Sequence, residues 1–181
     1  MLKVVCVILA LLGLPLLPLQ AAPGDIAATL STGRGAPDFE LPVARDKKIK
    51  LSDFRGQWLV LYFYPQDMTP GCTIEAQRFQ RDLERFKQLN AQVVGVSADP
   101  LDSHSMFSKK EGLTFPLASD AGGRVARAYG SWYGSSDTGS AARNTYLIDP
   151  QGKVARVFTR VNPMRHSEEV LAALSEQQVS R

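Results

Sequence analysis

A continuous run of apolar and aromatic side chains, residues 58–64, interrupts the mixed pattern of the first half of the chain. A run of this kind, without polar alternation, is typical of a strand that is buried on both faces. Pro65 ends the run, and a polar turn, residues 66–71, follows it. From Cys72 to Leu89 the apolar side chains recur roughly every three to four residues, as on one face of a helix. The pattern therefore predicts a buried strand that delivers Cys72 to the start of a helix.

Short strands and helices alternate along the rest of the chain. Apolar and polar side chains alternate over residues 39–41 and 49–51, which predicts two short strands before the buried one. Further strands are predicted at residues 92–97, 115–118, 143–149 and 153–158. Further helices are predicted from 102 or 103 to 111, at residues 120–129, and from 162 or 167 onward. The glycine- and serine-rich residues 131–142 are weakly patterned, and we expect a surface loop there. Buried strands that alternate with helices and end in a hairpin indicate an α/β fold, with a central mixed β-sheet flanked by α-helices in the thioredoxin-like arrangement.

Residues 1–22 have the layout of a secretory signal peptide: a positive start, an apolar run and a small, polar end. The apolar run, residues 4–19, is shorter than the ~20 residues of a spanning helix, and two prolines interrupt it. We therefore expect cleavage and export to a periplasm or a thylakoid lumen, with an uncleaved membrane anchor as the alternative. A linker, residues 23–34, then precedes a single domain at residues 35–181.

The composition narrows the classes of function. The net charge of +3 is small for 181 residues, and lysine and arginine are scattered along the chain. We therefore expect no nucleic-acid partner. The two histidines, His104 and His166, have no companion at metal-ligand spacing. We expect them at surface or helix-capping positions, and we expect neither a metal nor an organic cofactor.

The chain contains two cysteines, Cys6 and Cys72. Because Cys6 lies inside the predicted signal peptide, Cys72 is expected to be the single cysteine of the exported chain. A single cysteine cannot form an internal disulfide, and in this setting it suggests a reactive thiol or an intermolecular partner. The structural alternative is a small buried apolar side chain, a common environment for free cysteine.

A reactive thiol must ionise, and its position decides how readily it does so. The pKa of a free thiol is about 8.5, so few thiols are ionised at neutral pH. A helix N-terminus favours the anion through its unpaired N–H groups and its dipole, by about one pKa unit. Further activation requires a nearby hydroxyl or cation. Thr69 lies three residues before Cys72 and can supply a hydroxyl, although a turn threonine can also bond only to local backbone.

Residues 65–72, P-Q-D-M-T-P-G-C, resemble the P-x-x-x-T-x-x-C motif of the peroxiredoxins, in the AhpC/TSA superfamily. The flanking residues 61–64 and 73–76 resemble the peroxiredoxin Q, or bacterioferritin comigratory protein, subgroup. The similarity is collinear from residues 35–39 to residues 143–154 and thus spans most of the chain after the leader.

The resemblance implies an antioxidant oxidoreductase that reduces hydrogen peroxide and organic hydroperoxides. Cys72 would be the peroxidatic cysteine that becomes a sulfenic acid. Thr69 would hydrogen-bond the thiolate and the peroxide, Pro65 would shield the sulfur, and Arg143 would place a permanent charge beside it. Glu75, on the first helical turn, could orient Arg143 or simply suit the helix dipole, and we favour the dipole slightly.

One departure from the resembled subgroup concerns the end of the reaction cycle. Many of its members carry a resolving cysteine five residues after the peroxidatic one, and that position here is Gln77. We therefore expect a one-cysteine enzyme, a monomer or weak homodimer, recycled by an external thiol such as thioredoxin or glutathione. The alternative is a thioredoxin-fold thiol-exchange or non-catalytic binding protein that uses Cys72 for mixed disulfides, although the chain has no C-x-x-C motif.

Overall fold

The computed structural model describes residues 30–135 and 138–179; the predicted signal peptide, residues 1–22, lies outside them. The nine strands of the described part are β1 Glu40–Ala44, β2 Lys47–Lys50, β3 Trp58–Phe63, β4 Ala91–Ser97, β5 Leu117–Ser119, β6 Trp132–Gly134, β7 Gly139–Ala141, β8 Asn144–Ile148 and β9 Val154–Thr159. Its five α-helices are α1 Pro70–Arg81, α2 Leu83–Gln88, α3 Leu101–Glu111, α4 Arg124–Ala128 and α5 His166–Val179. A short 3-10 helix, Leu51–Phe54, precedes β3.

The central sheet has the order β5-β4-β3-β8-β9. Strand β3 lies at its centre, parallel to β4 and antiparallel to β8, and all six of its residues are buried. Alternate β3 residues belong to two core clusters: Val60 and Tyr62 pack with Phe79 of α1, whereas Leu59 and Leu61 pack with the cluster that contains α4. The sheet is therefore mixed and covered by helices, which confirms the predicted α/β, thioredoxin-like fold.

The predicted helix after the buried strand is divided in two. Helix α1 begins at Pro70, where the missing N–H of proline is tolerated, and α2 begins at Leu83. Between them the buried Asp82 leaves the helical conformation, and its carboxylate accepts a hydrogen bond of 2.7 Å from the Ser167 hydroxyl at the start of α5. Because both halves keep their apolar face on the core, the periodicity did not reveal the break.

The expectation of a surface loop at residues 131–142 is wrong in part. Strands β6 and β7 pair in antiparallel fashion, Trp132 with Ala141 and Gly134 with Gly139. A Cβ atom at Gly139 would collide with the Tyr133 carbonyl and the Trp132 ring, so the glycine permits this close pairing. Three-residue strands built on glycine carry no alternating pattern, which is why the sequence indicated a loop.

Residues 33–36 already run beside the domain. The Gly33 N–H donates to the Val154 carbonyl (2.7 Å), and the Val154 N–H donates to the Arg34 carbonyl (2.8 Å). Residues 23–29 lie outside the described part, and the boundary at residue 35 stays a prediction. Among residues 30–135 and 138–179, no helix is long and apolar enough to cross a membrane.

We expected surface or helix-capping positions for the two histidines, and the surface position is wrong for both. His104 and His166 are 2% and 0% exposed, respectively. His166 lies 2.7 Å from the Thr145 hydroxyl through Nε2, and its ring packs edge-on against Phe79 and Phe158. Burial, and secondarily the charge of Arg143, lowers the pKa of His166 from 6.5 to about 4.

The low pKa of His166 determines the direction in which folding stability changes with pH. The unfolded chain takes up a proton below pH 6.5 that the folded chain does not take up until about pH 4. The stability contributed by this residue is therefore complete above pH 6.5 and is lost as the pH falls towards 4. Wild type should lose this stability between pH 7 and pH 4.5, whereas His166→Gln should not. We therefore expect the free energy of unfolding of His166→Gln, relative to that of wild type, to be about 2–3 kcal/mol higher at pH 4.5 than at pH 7, as measured by urea unfolding at both pH values.

Val170→Ala, on the same helix and without a titratable group, is the matched control. Its stability difference from wild type should be the same at both pH values. Equal differences at the two pH values for His166→Gln would contradict the account of a buried neutral histidine.

Candidate active site

Cys72 lies on the first turn of α1, directly after the turn that leaves β3. Thr69 is the N-cap residue with extended backbone angles (φ −80°, ψ 149°), and Pro70 is the first helical residue. Cys72 is 1% exposed. The start of a helix favours a negative charge through its unpaired N–H groups and its dipole, and Cys72 lies in that first turn. The predicted delivery of Cys72 from a buried strand to a helix N-terminus is confirmed.

Arg143 reaches the sulfur from the neighbouring strand. Asn144, the first residue of β8, pairs with Phe63 at the end of β3, so Arg143 emerges beside the turn that precedes α1. Its Nη2 atom donates a hydrogen bond to the Cys72 sulfur at 3.2 Å. A Cβ atom at Gly71 would lie 3.2 Å from the same Nη2, so glycine leaves room for the guanidinium to cross the helix start.

Glu75 holds the other side of the guanidinium. Arg143 Nη1 donates to Glu75 Oε2, and the two groups form an ion pair. Our slight preference for a helix-dipole role of Glu75 is therefore corrected: because the carboxylate is buried one turn below Cys72, it contacts the arginine directly. Its other oxygen, Oε1, has no hydrogen-bond partner among the described residues.

For each member of this pair, burial and the charge of the partner have opposite effects on the pKa. Burial raises the pKa of Glu75 to about 7, against the opposing effect of the Arg143 charge. Burial also works against the charged form of Arg143, but the Glu75 charge and the hydrogen bond to Cys72 outweigh it and raise the pKa of Arg143. The guanidinium is thus a permanent cation, whereas Glu75 can be neutral or charged near neutral pH.

Thr69 and Pro65 flank the sulfur along the chain. The Thr69 hydroxyl donates to the carbonyl oxygen of Gln66 at 3.0 Å, which is the local backbone bond that a turn threonine often makes. Pro65 is half-buried at the end of β3. The structure therefore brings Arg143 to Cys72 and places Thr69 at the start of the same helix, while the roles of Pro65 and Thr69 towards a peroxide stay predictions.

Sequence reasoning missed one polar group of this region, the side chain of Asp67. Its carboxylate is buried beneath the turn and accepts hydrogen bonds from the Tyr64 hydroxyl (2.7 Å) and the Ser103 hydroxyl (2.7 Å). His104 Nδ1 lies 2.9 Å from the same carboxylate. The one available signal was the place of Asp67 inside the motif, because no periodicity links it to residues of α3.

Gln77, which stands at the position of a resolving cysteine, is exposed and makes a polar contact. Gln77 Nε2 donates to Glu111 Oε2 at 2.7 Å, which ties α1 to the end of α3. Within residues 30–135 and 138–179, Cys72 is the only cysteine and is free. The same residues contain no group of three or more His, Cys, Asp or Glu side chains that could hold a metal ion.

Known proteins are similar to this chain in sequence and in fold. Residues 32–157 match the AhpC/TSA family. The chain is 38% identical over 152 residues to the peroxiredoxin Bcp of Bacillus subtilis, covering 82% of this chain and 97% of the relative. It is 36% identical over 165 residues to the chloroplastic peroxiredoxin Q of Gentiana triflora, covering 89% of this chain and 74% of the relative.

Solved structures agree with the sequence relatives. The peroxidoxin BcpB of Mycobacterium tuberculosis superimposes with a TM-score of 0.77 at 35% identity, covering 81% of this chain and 97% of that one. A PrxQ of Xylella fastidiosa gives the same TM-score and identity, covering 82% and 98% of the two chains. With its fold, motif and collinear similarity all in agreement, the chain belongs to the AhpC/TSA family and to the group of peroxiredoxins named Bcp and peroxiredoxin Q.

Proposed function

We propose that the chain is a thiol-dependent peroxidase that reduces hydrogen peroxide and organic hydroperoxides through a sulfenic acid on Cys72. The observation that carries the proposal is the contact of 3.2 Å between the buried Cys72 sulfur and the Arg143 guanidinium at the start of α1. This arrangement combines a helix N-terminus with a fixed cation, and both favour a thiolate.

The chemistry needs only a nucleophile and a stabilised leaving group. The Cys72 thiolate attacks one peroxide oxygen, an S–O bond forms, and the O–O bond breaks. The leaving oxygen departs with the electron pair of that bond as hydroxide or alkoxide and takes up a proton to give water or an alcohol. Arg143, already in contact with the sulfur, can donate a hydrogen bond to the peroxide and stabilise the developing charge.

The enclosure of Cys72 favours a small oxidant over disulfide exchange. Because Cys72 is 1% exposed, a small peroxide needs only a narrow opening to reach the sulfur, whereas a folded thiol or disulfide partner reaches it only after the start of α1 opens. The bacterioferritin comigratory protein of Xanthomonas campestris, which has alkyl peroxide reduction activity, superimposes on this chain with a TM-score of 0.75 at 34% identity. We extend that substrate class to this chain.

The reductant is an external thiol of the thioredoxin or glutathione class. The first thiol attacks the sulfenic sulfur and releases water, leaving a mixed disulfide on Cys72. A second thiol then releases the Cys72 thiolate and carries away the new disulfide. Because this cycle needs no second cysteine in the chain, a monomer or weak homodimer suffices, and no nucleic acid takes part.

Export is a further part of the proposal. It is supported by the signal-like layout of residues 1–22, and it places the enzyme in a periplasm or a thylakoid lumen. Cleavage of that segment would also remove Cys6 and leave Cys72 as the single thiol.

The first test is peroxide consumption with a dithiol reductant, comparing wild type with Cys72→Ser. We expect the substitution to abolish turnover, because a serine hydroxyl stays protonated and is a poor nucleophile towards peroxide. Arg81→Gln, which alters a guanidinium on the same helix away from the sulfur, is the matched control and should keep its activity. Equal consumption by wild type and Cys72→Ser would refute the peroxidase function.

A second test introduces a cysteine that can form an intrachain disulfide with Cys72. Gln77→Cys places a thiol five residues after Cys72, about 7.5 Å further along the helix axis. Disulfides require Cα atoms within about 7 Å, so the bridge forms only when this part of α1 unwinds. We expect one equivalent of peroxide to produce a disulfide between Cys72 and the introduced cysteine, detected by mass spectrometry and by loss of both free thiols.

Gln80→Cys serves as the control for this second test. Gln80 also ties α1 to the segment after α3, through Thr114, but it lies about 12 Å along the axis from Cys72. It should give a sulfenic acid and no intrachain disulfide. If Gln77→Cys also stops at the sulfenic acid, position 77 is not a resolving position in this fold.

A further inference from the structure

A cluster of side chains centred on a buried carboxylate anchors the active-site turn to helix α3. It consists of Tyr64, Asp67, Ser103 and His104, and we refer to it as the Asp67 cluster. The Asp67 carboxylate is its centre, with the Tyr64 hydroxyl and the Ser103 hydroxyl each at 2.7 Å and His104 Nδ1 at 2.9 Å. The contacts with Ser103 and His104 join Asp67, in the turn before α1, to residues 36 and 37 positions further along the chain. The bond from Tyr64 is local.

The bonds of the Asp67 cluster keep the carboxylate charged although it is buried. Burial alone would raise the pKa of Asp67, but hydrogen bonds from His104, Ser103 and Tyr64 hold the pKa below its ordinary value. A buried carboxylate that loses a partner is strongly disfavoured, so the turn is held firmly onto α3 as long as the cluster is complete.

The main chain of the turn is anchored in the same direction. The Asp67 N–H donates to Asp99 Oδ2 at 3.0 Å, and the Ser97 hydroxyl donates to the same oxygen at 2.6 Å. Both the backbone and the side chain of Asp67 are thus fixed by β4, α3 and the connection between them. None of these anchors lies in α1, the helix that carries Cys72.

The anchors of Asp67 fix one end of an unfavoured backbone conformation at Met68. Met68 has a left-handed backbone with φ of 58°, a conformation that side chains with a Cβ atom disfavour. The next residue, Thr69, returns to an extended backbone and caps α1. An unfavoured conformation persists where the surrounding structure fixes both of its ends, and here those ends are Asp67 and α1.

We propose that Asp67 and His104 are positioning residues for the peroxidase reaction: through their contact, helix α3 holds the turn that sets Thr69 and Cys72 against Arg143. The proposal rests on the proposed peroxidase function. Neither residue touches the sulfur, and their effect passes through the backbone of Met68 and Thr69. The His104 ring suits this role because, in the described part of the chain, its Nε2 atom has no hydrogen-bond partner, and Nδ1 carries its polar contact with the turn.

The test compares two substitutions of His104. His104→Phe keeps a ring but removes the bond to Asp67, whereas His104→Asn can place an N–H near the position of Nδ1. The measured quantity is the second-order rate constant for oxidation of Cys72 by hydrogen peroxide in a single turnover. We expect His104→Phe to lower it by about tenfold or more, because small misplacements of reacting groups have effects of this size. His104→Asn should stay within about threefold of wild type, because it restores one hydrogen bond.

Val125→Ala separates positioning from general loss of stability. Val125 lies in α4 within the other core cluster, so its truncation destabilises the fold without touching the turn. We expect Val125→Ala to keep the wild-type rate constant. If His104→Phe also keeps it, or if His104→Asn is as slow as His104→Phe, the positioning role is refuted.

Amide hydrogen exchange over residues 65–73 gives a readout that does not depend on peroxidase activity. His104→Phe should accelerate exchange in this segment, and His104→Asn should restore the wild-type protection. If wild type consumes no peroxide, the proposed function fails, and the exchange alone decides whether the Asp67 cluster holds the turn. Unchanged exchange in His104→Phe would overturn the proposal in either case.

Ser103→Ala covers the outcome in which His104→Phe does not fold. It removes one hydroxyl donor from the Asp67 carboxylate and leaves the His104 contact in place. We expect a decrease of about threefold in the same rate constant with a smaller acceleration of exchange. A wild-type rate together with wild-type exchange would refute the role of the cluster.

Discussion

The contact between the Arg143 guanidinium and the Cys72 sulfur is the interaction on which the account of this site depends. Cys72 is 1% exposed, and a buried anion is unstable without a compensating charge. A helix start carries only a partial positive charge, so the full charge of Arg143 is the larger compensating charge beside the sulfur. The antiparallel register of β3 and β8 brings that cation to the sulfur, because Phe63 pairs with Asn144 and leaves Arg143 beside the turn.

Glu75 adds a second constraint, since one cation faces two groups that can be negative. Its carboxyl is buried with a pKa of about 7, so near neutral pH it is partly neutral. In the neutral form it still fixes the orientation of Arg143 through their contact, and the positive charge remains available to the sulfur. When Glu75 is ionised, the Arg143 guanidinium faces the negative carboxylate and the Cys72 sulfur together. The site therefore pairs the permanent charge of Arg143 with a carboxyl group whose pKa lies near neutral pH.

Much of this arrangement could be predicted from the sequence, and the remainder shows what local pattern cannot reveal. The apolar run at residues 58–64 and the periodicity after Cys72 are local, and they correctly predicted the central strand and the helix that follows it. The place of Arg143 required the resemblance to a family, because nothing near residue 143 shows that β8 lies beside β3. The burial of His104 and His166 escaped notice because their partners, Asp67 and Thr145, are distant along the chain. The break at Asp82 was hidden because both helices keep the same apolar face.

The central claim is that Arg143 makes Cys72 a peroxidatic cysteine. It is tested most directly by trapping the sulfenic acid with dimedone and locating it by mass spectrometry, in wild type and in Arg143→Ala, after one equivalent of hydrogen peroxide. We expect rapid and complete labelling at Cys72 in wild type and labelling at least about tenfold slower in Arg143→Ala. Absence of the adduct from wild-type Cys72, or equal rates in the two proteins, would contradict this claim.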